Sequence, residues 1–328
     1  AAPIVGPAIA VYWGWVPAML WVVLGTIFFA GVHDFGALWA SSRHQGKSIG
    51  ALSEAVIGKR TRSLVMVVIF LVLLMVNAVF AILIANLFVS VPGSVISAWG
   101  VIAVAVVIGV LIYRRGAGLL WPSIIGVAVL YGLIVLGTYL PLSLPDQVAG
   151  IGAPAIWVVL LFVYAGVASV LPVWLLLQPR DYINGLQLFI ALGIVFLAVL
   201  LANPEIDAPA LNAEVPAGTP PLVPLLFVTV ACGAISGFHG LVASGTTSKQ
   251  LDRETDVPLV GYLGAVGEGT LAIASLVACT AGFASVADWR GYYTTFAAGG
   301  TDAFVTGGAR IVNAGLGLPI VFSQTLLA

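Results

Sequence analysis

Apolar residues in this chain fall into runs of about twenty, and short polar stretches punctuate them from end to end. A helix rises ~1.5 Å per residue, so a run of that length crosses the ~30 Å hydrocarbon core of a bilayer. Eight complete spans are expected, at about 16–41, 63–91, 97–113, 119–141, 154–177, 185–203, 222–244 and 258–284. A partial span from Ala1 to about Trp13 precedes them and a truncated one at about 309–328 follows, giving ten crossings. The period-2 alternation of a transmembrane β-barrel is absent, which excludes that class. Both ends read as cut through membrane segments, so the chain is expected to be part of a longer protein. No linker or soluble domain interrupts the pattern. Residues 1–328 therefore read as a single all-α, polytopic transmembrane domain of about ten helices, the first and last incomplete.

Composition supports the membrane reading and charge orients it. Hydrophobic residues make up 61% of the chain and charged ones 8%, with a mean hydropathy of +1.14. A soluble domain carries about 25% charged residues. Alternating sides along the spans places Arg43, Lys47, Lys59, Arg60, Arg62, Arg114, Arg115, Arg180, Lys249 and Arg253 together, against only Arg290 and Arg310. That asymmetry makes the first set cytoplasmic. The Ser42–Arg62 loop is then a cytoplasmic amphipathic segment, and the Pro-rich loop 203–221, with Glu205, Asp207 and Glu214, lies outside. The basic residues form a girdle without aromatic interleaving, so no nucleic-acid partner is expected. Cys232 and Cys279 lie inside apolar runs and read as small buried hydrophobes.

Two spans are poorly made as helices. Ala2-Pro-Ile-Val-Gly6-Pro7 carries two prolines and a glycine, and the stretch Tyr164–Trp174 contains Gly166 and Pro172. Both are expected to break or kink. Unwound backbone at membrane depth persists only where protein or water satisfies it. The two spans lie five crossings apart and run in opposite directions. That is the arrangement of a five-plus-five inverted repeat whose broken first and sixth helices form a substrate site.

The residues at these positions also resemble a known family. Ala2–Pro7, Val32-His33-Asp34-Phe35, Ser169–Tyr182 (with Pro172-Val-Trp174 and Gln178-Pro-Arg180-Asp181) and Cys232–Gly240, continuing into Ser244–Gln250, look like the carbon starvation protein A (CstA) family. The similarity runs through essentially the whole chain. What it implies is a secondary active transporter of the bacterial or archaeal inner membrane, with a LeuT-like (APC-type) fold. Such a protein would import peptides or a small carboxylate such as pyruvate during carbon starvation. Family members usually begin ahead of the first block, with the inner half of the first broken helix, and they carry glycine where this chain has Ala2.

Candidate chemistry concentrates in buried polar groups. An ionisable residue at mid-helix costs at least about 2.5–3.5 kcal/mol on insertion scales, so it suggests a function. His33 and Asp34 fall in the inner half of the second crossing, His239 in the inner third of the eighth and Glu268 near the midplane of the ninth. The four share a layer and are candidates, with Ser236, for proton coupling. A sodium site is the rival, built from the hydroxyls of Ser244, Thr246 and Thr247 beside Ser248. The ordinary reading of those hydroxyls is bonding to their own helix.

Substrate contact is expected at Gly6, Pro7, Ser169, Pro172 and Trp174, with Asn77 as a further candidate that more often bridges helices. Arg180–Asp181 reads as a gate ion pair or as a snorkelling arginine. No cofactor is expected beyond a coupling H+ or Na+. The His and carboxylate set has metal-ligand types but no diagnostic spacing. An enzyme is not expected. Ser236 with His239 or His33 would be the only serine-protease pairing, and no oxyanion donor accompanies it. A channel remains the alternative of a different class.

Overall fold

A computed structural model describes residues 2–148, 150–234, 237–295 and 300–328. The side chains of Ala2, Pro3 and residues 229–234 are outside that description, and so is Cys232 among the sequence expectations. Ser236 lies outside the described residues altogether. The chain is about 77% helical.

In order, it forms α1 (Ala2–Ala10), a 3-10 turn (Val11–Trp13), α2 (Trp15–Gly25), a π turn (Thr26–Ala30), α3 (Gly31–Arg43), α4 (Ile49–Val56) and α5 (Lys59–Ser90). Next come α6 (Ser94–Gly109), a π turn (Val110–Arg114), α7 (Leu120–Tyr139), a small antiparallel pair of β1 (Gln147–Val148) and β2 (Ile151–Gly152), α8 (Ala153–Val170) and α9 (Leu177–Ala202). After these follow α10 (Leu222–Ala234), α11 (Gly237–Ala243), a third π turn (Leu259–Leu263), α12 (Gly264–Ala281), α13 (Val286–Tyr292), α14 (Thr301–Leu316) and α15 (Ile320–Leu327).

Among the described residues, seven helical runs are long and apolar enough to cross a membrane: Trp15–Arg43, Lys59–Ser90, Ser94–Arg114, Leu120–Tyr139, Ala153–Val170, Leu177–Ala202 and Glu254–Ala281. The expected spans at 16–41, 63–91, 97–113, 119–141 and 258–284 match five of these to within a few residues. Along α5, Leu64, Phe70 and Met75 are exposed. Apolar side chains facing outward along a helix are what a lipid solvent selects.

The two expected breaks are corrected. α1 runs through Gly6 and Pro7 without interruption. The helical bond lost at Pro7 is the one to Pro3 O. Ser275 Oγ adds a donor to the next carbonyl, Ile4 O, at 2.9 Å. The interruption falls later, in the 3-10 turn and at Gly14, whose φ of 107° is open to glycine. Near Pro172 the helix does stop, but at the end of a crossing rather than in its middle. Leu171 is extended (φ −78°, ψ 149°), as a residue before proline prefers, and α9 begins at Leu177. The boundary expected at 177–185 therefore sits at 171–176.

Further on, the expected final span at 309–328 is replaced by α14 and α15. Gly317 (φ 69°) and Pro319 separate them, the usual glycine-then-proline ending of a helix. The expected crossing at 222–244 is described as α10 and α11.

The chain divides into two compact units, residues 1–77 with 205–307 and residues 78–204 with 308–328. In the second, α6, α7, α9 and α15 enclose Val101, Ile108, Leu130, Ile134, Ile183 and Leu326. Two smaller clusters join α8 to its neighbours: Trp157 lies with Ala85, Phe88 and Val95, and Ala168 with Ala105 and Leu176.

In the first unit α1 packs on α10 and α12, and α3 packs on α11 and the 259–263 turn. One end of this unit closes over Gly14. Trp15 N and Val16 N donate to Pro209 O and Ala210 O at 3.1 Å each, and Asn212 Nδ2 to Tyr12 O at 2.8 Å. Trp289 Nε1 donates to Cys279 O at 3.1 Å, and Cys279 is a buried free thiol. At the other end Arg43 pairs with Glu254, and Arg62 with Glu54 at 2.6 Å. The expected amphipathic segment is the short helix α4 between these pairs.

Candidate functional site

The four ionisable residues in the crossings of the first unit meet. α3 contributes His33 and Asp34, α11 His239 and α12 Glu268. His239 lies between the carboxylates, with Nδ1 2.6 Å from Asp34 Oδ2 and Nε2 2.8 Å from Glu268 Oε2. His33 Nδ1 is 2.8 Å from the other Asp34 oxygen, Oδ1. The order is His33, Asp34, His239, Glu268, a continuous hydrogen-bonded chain. Side-chain exposure is 39% for His33, 6% for Asp34, 34% for His239 and 17% for Glu268, so Asp34 is the most enclosed member.

Each of these three contacts needs one proton between a nitrogen and an oxygen, so the tetrad as drawn holds three. Both nitrogens of the His239 imidazole are occupied, and donating from both to two carboxylates requires the imidazolium unless one carboxyl carries the proton. Moving a proton from one of these contacts to the next redistributes the hydrogen bonds along the chain. Among the described residues, no group of three or more His, Cys, Asp or Glu is arranged to hold a metal ion.

The backbone around the tetrad is unusually close-set. A Cβ on Gly261 would come 2.9 Å from Phe35 Cα and 3.3 Å from Asp34 C, so the 259–263 turn rests directly on α3. π turns precede both α3 and α12. Such turns are rare and frequent at functional sites. Tyr262 Oη donates to Ile27 O at 2.8 Å, linking the two. Sequence reading missed these turns because π geometry has no residue signature, although Tyr262 beside Gly261 marks an aromatic at a close approach.

The hydroxyl cluster serves the backbone. Ser244 Oγ donates to Gly240 O at 2.7 Å and accepts from Ile49 N at 3.1 Å. Thr247 Oγ1 donates to Val242 O at 3.4 Å, and Thr246 lies just before that 3-10 turn, at 247–249. Ser41 and Ser248 hydroxyls lie 2.8 Å apart, and Gly245 N donates to both.

The substrate candidates fall in both units. Gly6 and Pro7 are buried in α1 of the first unit. Asn77 Nδ2 bonds its own helix at Leu73 O (2.8 Å), as an intramembrane Asn can, and Ser169 Oγ bonds Gly166 O (2.7 Å). In the second unit Pro172 and Trp174 lie in the 171–176 turn, with Arg114 5.4 Å from the Trp174 ring. Arg180 lays its guanidinium over the Tyr164 ring at 5.6 Å.

Comparison with known proteins now bears on this geometry. The family model described as carbon starvation protein CstA matches residues 1–314. The chain belongs to the CstA family. Its relatives include the peptide transporter CstA of Campylobacter jejuni, 36% identical over 84% of this chain and 40% of that protein. Another CstA peptide transporter, from Mycobacterium tuberculosis, is 33% identical over 97% of the chain and 42% of its own length. The pyruvate/proton symporter BtsT of Escherichia coli is 33% identical over 85% of the chain and 40% of that protein. The chain thus spans about 40% of the length of these CstA-family relatives. No solved structure matches.

Proposed function

We propose that the chain forms the translocation core of a proton-coupled importer of peptides or a small carboxylate such as pyruvate, with the tetrad as its proton site. The observation that carries this reading is the unbroken path from His33 through Asp34 and His239 to Glu268. His33, the most exposed member, receives the proton. Asp34 passes it to His239, whose two nitrogens allow entry on one side and exit on the other. Glu268 is the terminus.

One relative is named for peptides and another for pyruvate with a proton, which supports the substrate classes and the coupling ion. Proton coupling is favoured over sodium because the Ser244 and Thr247 hydroxyls are engaged with backbone. The segregated basic residues support a cytoplasmic membrane with the Ser42–Arg62 loop inside. A LeuT-like inverted repeat over a single transport domain rests in this reading on the resemblance of the sequence blocks alone, since the chain turns at 11–14 and 171–176 lie at the ends of helices.

The test is uptake of labelled pyruvate against labelled di- and tripeptides in a transport-deficient strain, across pH. Asp34→Asn and Glu268→Gln are expected to abolish the pH dependence, and unchanged dependence in both would sink the coupling role.

A further inference from the structure

We propose that Tyr262 is a positioning residue that holds α3 in the register aiming Asp34 at His239. The inference rests on the proton role of the tetrad but is carried by separate contacts. In the π turn at Thr26–Ala30, Gly31 N–H reaches back to Thr26 O. The Ile27 carbonyl thereby loses Gly31, its ordinary α-helical donor. Tyr262 Oη replaces that donor at 2.8 Å.

The ring is seated as tightly as the hydroxyl. A Cβ on Gly31 would fall 2.6 Å from Tyr262 Cε2, so the ring occupies the space that any side chain at 31 would need. Tyr262 itself belongs to the second π turn, at Leu259–Leu263, and its neighbour Gly261 rests on the backbone of Asp34 and Phe35.

Register explains why this matters. A π turn takes up one extra residue, which offsets the helix beyond it by about 100° relative to uninterrupted α geometry. His33 and Asp34 lie two and three residues past Gly31. If the turn relaxed to α, Asp34 would rotate off the 2.6 Å contact with His239. The Tyr262 hydroxyl stabilises the π form by satisfying the carbonyl that this form leaves without its donor. The ring fixes the distance between α3 and the segment leading to Glu268.

The experiment uses the intact protein in lipid nanodiscs with 15N-labelled histidine, His239→Gln assigning the His239 resonances. Tyr262→Phe keeps the ring and removes the donor. It is expected to shift both His239 ring resonances away from the doubly hydrogen-bonded pattern and to move the pH midpoint of uptake. Gly31→Ala displaces the ring by a different route and is expected to give the same shift. Tyr113→Phe, which removes a hydroxyl bonded to Gln178 at 3.2 Å, is the control and should change neither readout.

Native His239 resonances in Tyr262→Phe and Gly31→Ala would overturn the positioning role. Shifted resonances support it even where Asp34→Asn leaves the pH dependence of uptake unchanged. That last result would remove the coupling reading alone.

Discussion

The imidazole of His33 rests against the backbone of Gly240: a Cβ at that glycine would sit 2.9 Å from Cε1 and 3.1 Å from Nε2. α11 thus places His239 on Asp34 and, one residue later, leaves room for the other histidine. Gly240→Ala should push the His33 ring aside, since a side-chain tip yields more easily than helix backbone. Uptake is expected to persist with an altered pH profile, and the thermal midpoint in detergent to change little. A native pH profile would mean that His33 does not feed the site.

His33 and Asp34 are neighbours in sequence as well as in contact, which separates two roles for the histidine. Asn at position 33 can offer an amide donor near the place of Nδ1, whereas Ala cannot. His33→Asn is expected to retain more uptake than His33→Ala, because the Asp34 oxygen keeps its hydrogen bond. Both remove the imidazole, so both should alter the pH profile of uptake. Equal uptake in the two variants would assign the 2.8 Å contact no orienting part.

Gly14 is required twice over, by its φ of 107° and by its neighbour, since a Cβ there would lie 2.4 Å from Ala210 O. The same turn anchors loop 205–214 through Trp15 N and Val16 N. Gly14→Ala is expected to destabilise the protein by on the order of 1–3 kcal/mol, the usual cost of a non-glycine residue held in such a region. Thermal unfolding in detergent would register this, together with faster proteolysis of the 205–214 loop.

Much of this site was legible in the sequence because membrane burial makes ionisable residues conspicuous. His33, Asp34, His239 and Glu268 stand out against apolar runs, and counting residues along each span placed them in one layer. Their convergence was not legible. It depends on helix rotation, and π turns ahead of α3 and α12 shift that rotation without leaving a pattern in the residues. Proline was the misleading signal. Pro7 sits inside α1, which runs on without its amide, whereas Pro172 acts through Leu171 and ends α8. The hydroxyls near Ser244 were visible, but only the fold reveals that Ile49 and Gly240 occupy them.

Asp207, in the loop outside the crossings, has its carboxyl raised above the ordinary carboxylate range, first by burial and then by Glu205 and Asp288. An acid raised in the folded state favours its protonated form there. Stability from this group is present at low pH and is lost as pH rises through the ordinary value towards the folded one. At neutral pH the ionised form is therefore a mild liability. Asp207→Asn should raise the thermal midpoint near pH 7 and leave it unchanged at acid pH, and the effect should be small because the group is partly exposed.

Ser244 separates the two coupling ions. Its hydroxyl donates to Gly240 O and accepts from Ile49 N, which is the first amide of α4 and has no helical partner of its own. If this is its task, Ser244→Ala leaves that amide unpaired and loosens α4 from α11, at a cost of about 1–3 kcal/mol. Faster cleavage by trypsin after Lys47 is then expected, along with a lower thermal midpoint, while uptake is indifferent to replacing sodium by choline in both native and variant protein. A sodium requirement in the native protein that Ser244→Ala weakens would instead make the hydroxyl an ion ligand. The proton path through His239 would then need to share coupling with it.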